Sequence, residues 1–439
     1  MDKKVALHTL GCKLNFAEGD TILRNFVKAG YQIVDFKHQA DVYIINTCSV
    51  THVADKKSRN LIRQAIKHNP EAIVIVTGCY AQNNAEEIAR LIPDTDFIVD
   101  NLHKNSFFVP ENIARLHKNE KPEIIQNDIR KAHTDFYPSY SINFRTRSFL
   151  KVQDGCDYSC SYCTIPFTRG HSRNASIQEI VRSAQEIIRA GVKEIVLTGI
   201  NIGDFGKSTG ETFYELIKAL DALKADIRFR ISSIEPNLIT TDILKLIAGS
   251  GKFARHFHIP LQSGSDSVLR SMQRRYNTRL FAAKIEEINR ILPDAGIGID
   301  VITGYPTETT EDFETTIRFL ENLRFSYLHV FTYSARPMAK SYKLKPVATN
   351  TEITERSKIL HQLSNKKRKA FLEENLGREL AVLFESDRIN SNIYGLTDNY
   401  IRVVTPFEPR LVNQIKKVKI VAVEDVEKNT CTCQLLPDR

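Results

Sequence analysis

The stretch KVQDGCDYSCSYCTIPFTRG, residues 151–170, carries three of the chain's eight cysteines, Cys156, Cys160 and Cys163, in the spacing C-x3-C-x2-C. Thiolates this close hold soft metals, and the common outcomes are zinc or an iron–sulfur cluster. A structural zinc site asks for four protein ligands. The nearest further candidate is His171, eight residues beyond Cys163 in the polar run TRGHSR. A [4Fe–4S] cluster held by three thiolates instead leaves one iron free for a small molecule. Three more cysteines are scattered. Cys12, Cys48 and Cys79 each follow, within two residues, a short β-rich run: VALHTL (5–10), DVYIINT (41–47) and AIVIVTG (72–78). The last pair, Cys431 and Cys433, reads as incidental thiols.

Helical patterns at 17–28 and 52–67 separate the first three runs, which implies a parallel sheet of βαβ units. Parallel strands finish on one edge, where ligand sites of open α/β sheets form. Cys12, Cys48 and Cys79 are therefore expected to converge in space. From residue 146 a second series begins, with strands expected at 149–155, 194–200, 228–235, 257–263, 297–304 and 327–334. Six strands with helices between them predict a partial (β/α)6 barrel, open on one side, with its chemistry in the loops at the strand C-termini. The cysteine loop follows the first of these strands. Residues 350–373 read as one long helix, whose basic run at 366–369 is a solvated face or a phosphate contact. Strand-like runs return from residue 378 and predict a small all-β barrel of the kind that binds oligonucleotides.

The fold class is thus α/β with a small β-domain. Residues 1–115 form an N-terminal α/β domain, 116–145 a linker, 146–372 the partial barrel with its trailing helix, and 373–439 the β-domain. At 439 residues, with 42% hydrophobic and 26% charged residues, the composition is that of a globular protein. No apolar run reaches the roughly 18 residues that span a bilayer, and the N-terminus lacks the apolar stretch of a signal peptide. A cytoplasmic location is expected, where clustered cysteines serve as ligands rather than disulfides. The net charge of +9 suits a polyanionic partner.

The cysteine loop, with aromatic Tyr162 before the third cysteine, resembles the radical S-adenosylmethionine (SAM) superfamily. In that family the open iron binds the methionine part of SAM, and one electron cleaves SAM to a 5′-deoxyadenosyl radical. The motifs LGCKLNFAEGD, INTCSVTHVADKKSR, VTGCYAQ, ISSIEP, IPLQSGSD and DVITGYPTET, with the domain layout, resemble the methylthiotransferases over essentially the whole chain. LGCKLN is most similar to the branch acting on N6-threonylcarbamoyladenosine at tRNA position 37; the isopentenyladenosine and ribosomal-protein branches differ after the glycine–cysteine pair. The C-terminal domain resembles the RNA-binding TRAM module, most clearly in GLTDNYIRVV. One departure follows YSAR, where Met338 and Ala339 replace a glycine–threonine pair.

The resemblance implies two [4Fe–4S] clusters, one on Cys12, Cys48 and Cys79 that handles sulfur and one on Cys156, Cys160 and Cys163 that generates the radical. It implies two SAM molecules, one for the radical and one as methyl donor. Polar residues at barrel strand ends would hold SAM: Tyr162, Thr198, Gly199, Ser233, Glu235 and Gln262. Arg145, Arg147, Arg169 and Arg173 would steer phosphates of a tRNA anticodon loop. A reductase such as flavodoxin or ferredoxin would supply electrons to a monomeric enzyme. The alternatives are methylthiolation of isopentenyladenosine or of a ribosomal protein, or a zinc-containing RNA-binding protein without catalysis.

Overall fold

Runs of valine and isoleucine form strands because branched side chains are stiff and pack well on a pleated surface. A computed structural model, which describes residues 3–131, 135–142 and 146–437, places the first of them in a six-stranded sheet. Its strands are β1 (Lys4–Thr9), β2 (Gln32–Ile33), β3 (Val42–Thr47), β4 (Ile73–Gly78), β5 (Phe97–Val99) and β6 (Glu123–Ile125). They run parallel in the order β2-β1-β3-β4-β5-β6. Thr9 pairs with Asn46 and Thr47 with Gly78, so β1, β3 and β4 finish level, with neighbours about 4.8 Å apart. The stretch 116–145, expected to be a linker, supplies β6. Three residues show no alternation, and what holds them is backbone pairing to β5, with Ile125 against the apolar core.

Between the strands lie α1 (Lys13–Lys28), α2 (His52–His68) and α3 (Cys79–Leu91). Helix α1 starts four residues earlier than the sequence pattern, because Cys12 takes an extended N-cap conformation at φ −91°, ψ 167°. Its buried face is mixed. Leu14, Ala17, Ile22 and Phe26 are apolar, but Asn15 and Glu18 are buried too.

Strand β7 (Ser139–Tyr140) leads antiparallel into β8 (Ser148–Lys151). Short β9 (Gln153–Asp154) and β10 (Arg173–Asn174) pair with each other, while β11 (Glu194–Thr198) and β12 (Arg228–Ile231) extend the sheet of β8. Then β13 (His256–Gln262), β14 (Gly296–Thr303) and β15 (Tyr327–Thr332) pair parallel in sequence. Parallel bridges Phe229–Phe253 and Ser233–His258 join the two halves into one open arc. Leu150, Leu197, Phe229, Ile259, Ile299 and Leu328 point outward into a core covered by helices. Helix Ile177–Arg189 shows how the cover is set. Ser176 and Glu179 make a capping box, and Ile180, Ala184 and Ile187 line the buried stripe. Alternation sends Glu194, Arg230, His258, Asp300 and His329 to the concave side. Helix α1 lies across that side, with Phe16 and Ala17 packed on Phe149 and Val196.

The 25-residue helix Asn350–Glu374 packs along β15 and leads to β16 (Glu379–Ile389), β17 (Asn392–Thr397), β18 (Arg402–Pro406), β19 (Ile415–Asp425) and β20 (Thr430–Leu435). These close into a barrel in the order β16-β17-β18-β20-β19. Cys431 and Cys433, two apart on β20, belong to its core. The basic run of the helix is structural in part: Lys367 donates to the carbonyls of Glu321 and Leu323, and Arg368 to those of Val426 and Glu427.

Two buried carboxylates join the three bodies. Glu18 of α1 accepts from Lys104 at 2.8 Å, Lys151 at 2.8 Å and Arg169 at 2.9 Å. Asp154 meets Lys151 at 2.7 Å and Arg173 at 3.1 Å in the same cluster. At the other end of the strands, Glu194 binds Arg228 and Arg230, which donate onward to the carbonyls of Ala381, Leu396, Thr397 and Asp398. Burial pushes Glu18, Asp154 and Glu194 up, but the adjacent cations outweigh it and hold all three below the usual carboxylate range.

A carboxyl held low in the fold stabilises it above its ordinary value and loses that contribution as the pH falls through the folded value. The melting temperature is therefore expected to hold from pH 8 to 5 and to fall below about pH 4.5. Glu18→Gln leaves buried cations underpaired and should cost about 3–5 kcal/mol at neutral pH, measured by denaturant unfolding, with a shallower acid loss than wild type.

Candidate metal centres and the crevice between them

Each of the first three cysteines sits where a strand ends. Cys12 caps α1 after β1, Cys48 follows β3 directly, and Cys79 opens α3 at the end of β4. The structure brings these three together on adjacent strand ends. Gly11 shows how close the packing is. Its φ is +95°, and a Cβ there would lie 2.8 Å from Cys48 Cβ and 2.9 Å from its Sγ. Burial pushes the Cys48 thiol up to about 12, and Cys79 and Cys12 add to the effect. Cys12 is solvent-exposed, yet the protein packed around it raises its thiol as well.

The second trio lies on a loop whose ends are tied by β9 and β10. Inside it the Cys156 amide donates to Gly170 O at 3.0 Å. Gly155, at φ +69°, allows this, since a Cβ would meet the His171 carbonyl oxygen at 1.9 Å. Each sulfur has an N–H donor: Tyr158 N to Cys156 at 3.4 Å, Arg274 to Cys160 at 3.1 Å, and Ile165 N to Cys163 at 3.5 Å. Such contacts stabilise thiolate ligands. A cavity of about 280 Å³ opens over the three sulfurs, lined also by Phe167, His171 and Lys340. His171 pairs with Asp157 at 2.9 Å and is 74% exposed on the rim, so it completes no buried tetrahedral site.

The two trios are linked by the short helix Ile165–Arg169. It starts just after Cys163. Asn101 donates to Thr168 O at 2.8 Å and lies 4.0 Å from Cys79 Sγ. Arg169 reaches Asn15 and Glu18 on α1. Arg336, beyond β15, closes the other side. It bonds Ser49 Oγ at 2.8 Å, one residue after Cys48, and pairs with Asp55 at 2.8 Å. The departed segment after it rests on the cysteine loop, with Ser341 N on Ser161 O at 2.8 Å.

The residues fit iron clusters and SAM. Burial holds Cys48, Cys156 and Cys163 near 12, so metal-free they stay protonated, and bound iron offsets their ionisation. Beside the mouth, Asn201 Oδ1, Ser232 Oγ and Asn237 Oδ1 are buried without partners, which suits a polar ligand. The expected SAM contacts stand at the strand ends. Thr198 ends β11 and is buried; Gly199 lies against Gln153; Ser233 bridges to His258. Gln262 takes φ 69° at a bulge ending β13. Glu235 pairs with Arg274, which also donates to the Tyr162 hydroxyl at 3.3 Å.

Of the four arginines expected to steer phosphate, the structure commits Arg169 and Arg173 to contacts inside the fold. Arg169 is 1% exposed and committed to Glu18 and Asp154. Arg173 is spent on Asp154 and two carbonyls. Arg147 lies 4.0 Å from Glu194 and 3.6 Å from Glu385. Arg145 lies outside the described residues. Buried carboxylates claim these cations because an unpaired charge there costs several kcal/mol. Sequence reading passed over Arg274, Asn101 and Glu18. Glu18 and Asn15 had one signal, polar residues three apart on the inner face of a helix; Arg274 and Asn101 had none.

Residues 4–100 match the Uncharacterized protein family UPF0004, and residues 150–320 match the Radical SAM superfamily. The threonylcarbamoyladenosine tRNA methylthiotransferase MtaB of Aquifex aeolicus is 39% identical over 402 residues, covering 91% of this chain and 96% of its own. The Bacillus subtilis MtaB is 37% identical over 426 residues, at 95% and 93%. A tRNA-2-methylthio-N(6)-dimethylallyladenosine synthase of Methylacidiphilum infernorum is 30% identical over 433 residues, at 95% and 92%. The radical S-adenosylmethionine methyltransferase TsrM of Kitasatospora setae shares the fold, with a TM-score of 0.55 at 12% identity over 78% of this chain and 77% of that one. The paired cysteine trios, the open barrel and these relatives agree: the chain belongs to the radical SAM methylthiotransferases, in the threonylcarbamoyladenosine, or MtaB, branch.

Proposed function

We propose that this enzyme replaces the C2 hydrogen of N6-threonylcarbamoyladenosine, at position 37 of tRNA, with a methylthio group. The observation that carries the reading is the placement of the two trios, three thiols at the edge of one sheet and three on the barrel loop, joined through Asn101 and the helix Ile165–Arg169. Cys12, Cys48 and Cys79 would hold the sulfur-side [4Fe–4S] cluster, and Cys156, Cys160 and Cys163 the radical-side one. When bound, the clusters and two SAM molecules supply a radical that removes the hydrogen, and the sulfur and methyl that replace it.

The chain's own residues set the geometry. Arg274 fixes Cys160, Tyr162 and Glu235 relative to one another, so the loop and the end of β12 move as a unit. Arg336 and Glu18 clamp the N-terminal domain over the open barrel, which narrows the crevice and limits water beside a reactive radical. Asn201, Ser232 and Asn237 offer polar atoms to SAM at the strand ends. The C-terminal barrel would grip RNA away from the chemistry. It docks at the strand N-termini through Glu194, Arg228 and Arg230, so a strand length of about 15 Å separates it from the strand ends that carry the cysteine loop. That span suits a folded stem-loop rather than a free nucleoside.

Anaerobically purified enzyme is expected to be brown, with roughly eight irons per chain; colourless protein containing zinc would overturn the reading. Cys160→Ala should abolish SAM cleavage. Cys48→Ala should still cleave SAM but form no methylthio product, and equal loss of both activities would contradict the division of roles. In a deletion strain, mass spectrometry of tRNA nucleosides should show loss of the methylthio form of N6-threonylcarbamoyladenosine, with the methylthio form of isopentenyladenosine intact.

A further inference from the structure

The segment after Arg336, where Met338 and Ala339 replace a glycine–threonine pair, has no part in the chemistry above, yet it lies against the cysteine loop. Its turn Lys340–Lys343 is anchored from two sides. Ser341 N donates to Ser161 O at 2.8 Å, and the Tyr333 hydroxyl and Ser341 Oγ share a hydrogen bond at 2.9 Å. Ser161 lies between Cys160 and Cys163, and its own amide donates to Met272 O at 3.0 Å. The path from Tyr342 to Cys160 is therefore two Cα steps of about 3.8 Å and one hydrogen bond. The outer side of the segment is apolar and cationic at once. Tyr342 is 53% exposed, Leu344 38% and Val347 60%. Residues 337–351 hold Lys340, Lys343 and Lys345 and no acidic residue. Lys340 donates to the neutral Gln273 at 2.9 Å, and among the described residues none of the three lysines has an ion pair. Arg275, two residues beyond Gln273, is exposed and lies over the Tyr158 ring of the cysteine loop at 3.9 Å.

We infer that this face is where a small acidic electron-carrier protein docks to deliver the electron for SAM cleavage, an inference that rests on the proposed radical chemistry. The carrier holds a flavin or an iron–sulfur group and is oxidised by one electron. That electron breaks the bond between the SAM sulfonium and its 5′ carbon, leaving methionine and a 5′-deoxyadenosyl radical. Encounters between electron-transfer partners are small and transient, and opposite charges steer them. Tyr342, Leu344 and Val347 supply an apolar centre, and the lysines supply a rim complementary to an acidic surface. An RNA backbone is anionic too, but leucine and valine offer it neither the stacking nor the hydrogen bonds on which single strands are held. The C-terminal barrel, proposed to grip RNA, lies at the other ends of the strands. The anchored pair Ser341 and Ser161 keeps a protein docked here beside the loop that receives the electron.

The test uses Lys343→Glu/Lys345→Glu and Leu344→Asp, all at exposed positions, with an acidic flavodoxin as the probe. Binding of the flavodoxin to clustered enzyme is measured by surface plasmon resonance, and SAM cleavage is driven either by reduced flavodoxin or by dithionite, which needs no docking face. Wild-type affinity for flavodoxin should fall at least about tenfold between about 50 and 300 mM salt. Each variant should bind it at least about tenfold more weakly at the lower salt. Flavodoxin-driven cleavage should fall with the affinity, while dithionite-driven cleavage, iron content and affinity for the anticodon stem-loop stay at wild-type values. Variants that bind flavodoxin as wild type does overturn the inference. Loss of stem-loop affinity with flavodoxin binding intact overturns it too and gives the face to RNA. Should the variants fail to assemble, wild-type binding that is indifferent to salt overturns it as well. A wild-type enzyme that cleaves no SAM with dithionite refutes the radical chemistry itself, a result distinct from any binding outcome.

Discussion

A carboxylate withdrawn from water must be met by cations, and Glu18 is where this chain meets that demand. Lys104 comes from the N-terminal domain, Lys151 from the first barrel strand and Arg169 from the helix behind the cysteine loop. No one of these segments can satisfy Glu18 alone. The low-dielectric surroundings that make the unpaired charge expensive also make the completed cluster rigid. The relative position of two domains, and with it of two sets of thiols, is fixed by pairing charges rather than by apolar contact alone.

The thiols inherit their places from simpler rules. Parallel strands that finish level present their following residues along one edge, so Cys12, Cys48 and Cys79 need no common loop. The barrel cysteines need the opposite arrangement, one loop closed at its neck by β9 and β10 and folded tightly at Gly155. The bridging helix has only five residues, short enough that both sets feel any shift in Arg169.

Much of this was legible in the sequence. Strand-end cysteines, six barrel strands and the spacing of the loop are local patterns, and local patterns survive folding. Charge was misread because sign is visible in a sequence and partner is not. Arg169 and Arg173 look like a basic patch beside the cysteines, yet Asp154 and Glu18 claim them from both sides. Strand β6 hid in a polar stretch because three residues cannot show a period. Arg274 and Arg336 were unreadable for a related reason: the carboxylates and the thiol they meet lie 39 or more positions away, on strand ends, loops and helices that only the topology brings near.

The far joint is built differently from the near one. Arg228 and Arg230 grasp the C-terminal barrel by main-chain oxygens of residues 381 and 396–398, which every amino acid possesses. A clasp of that kind is indifferent to the side chains displayed on the module it holds. The outward surface of the C-terminal barrel can drift in sequence without loosening its attachment, while the opposite rim stays untouched.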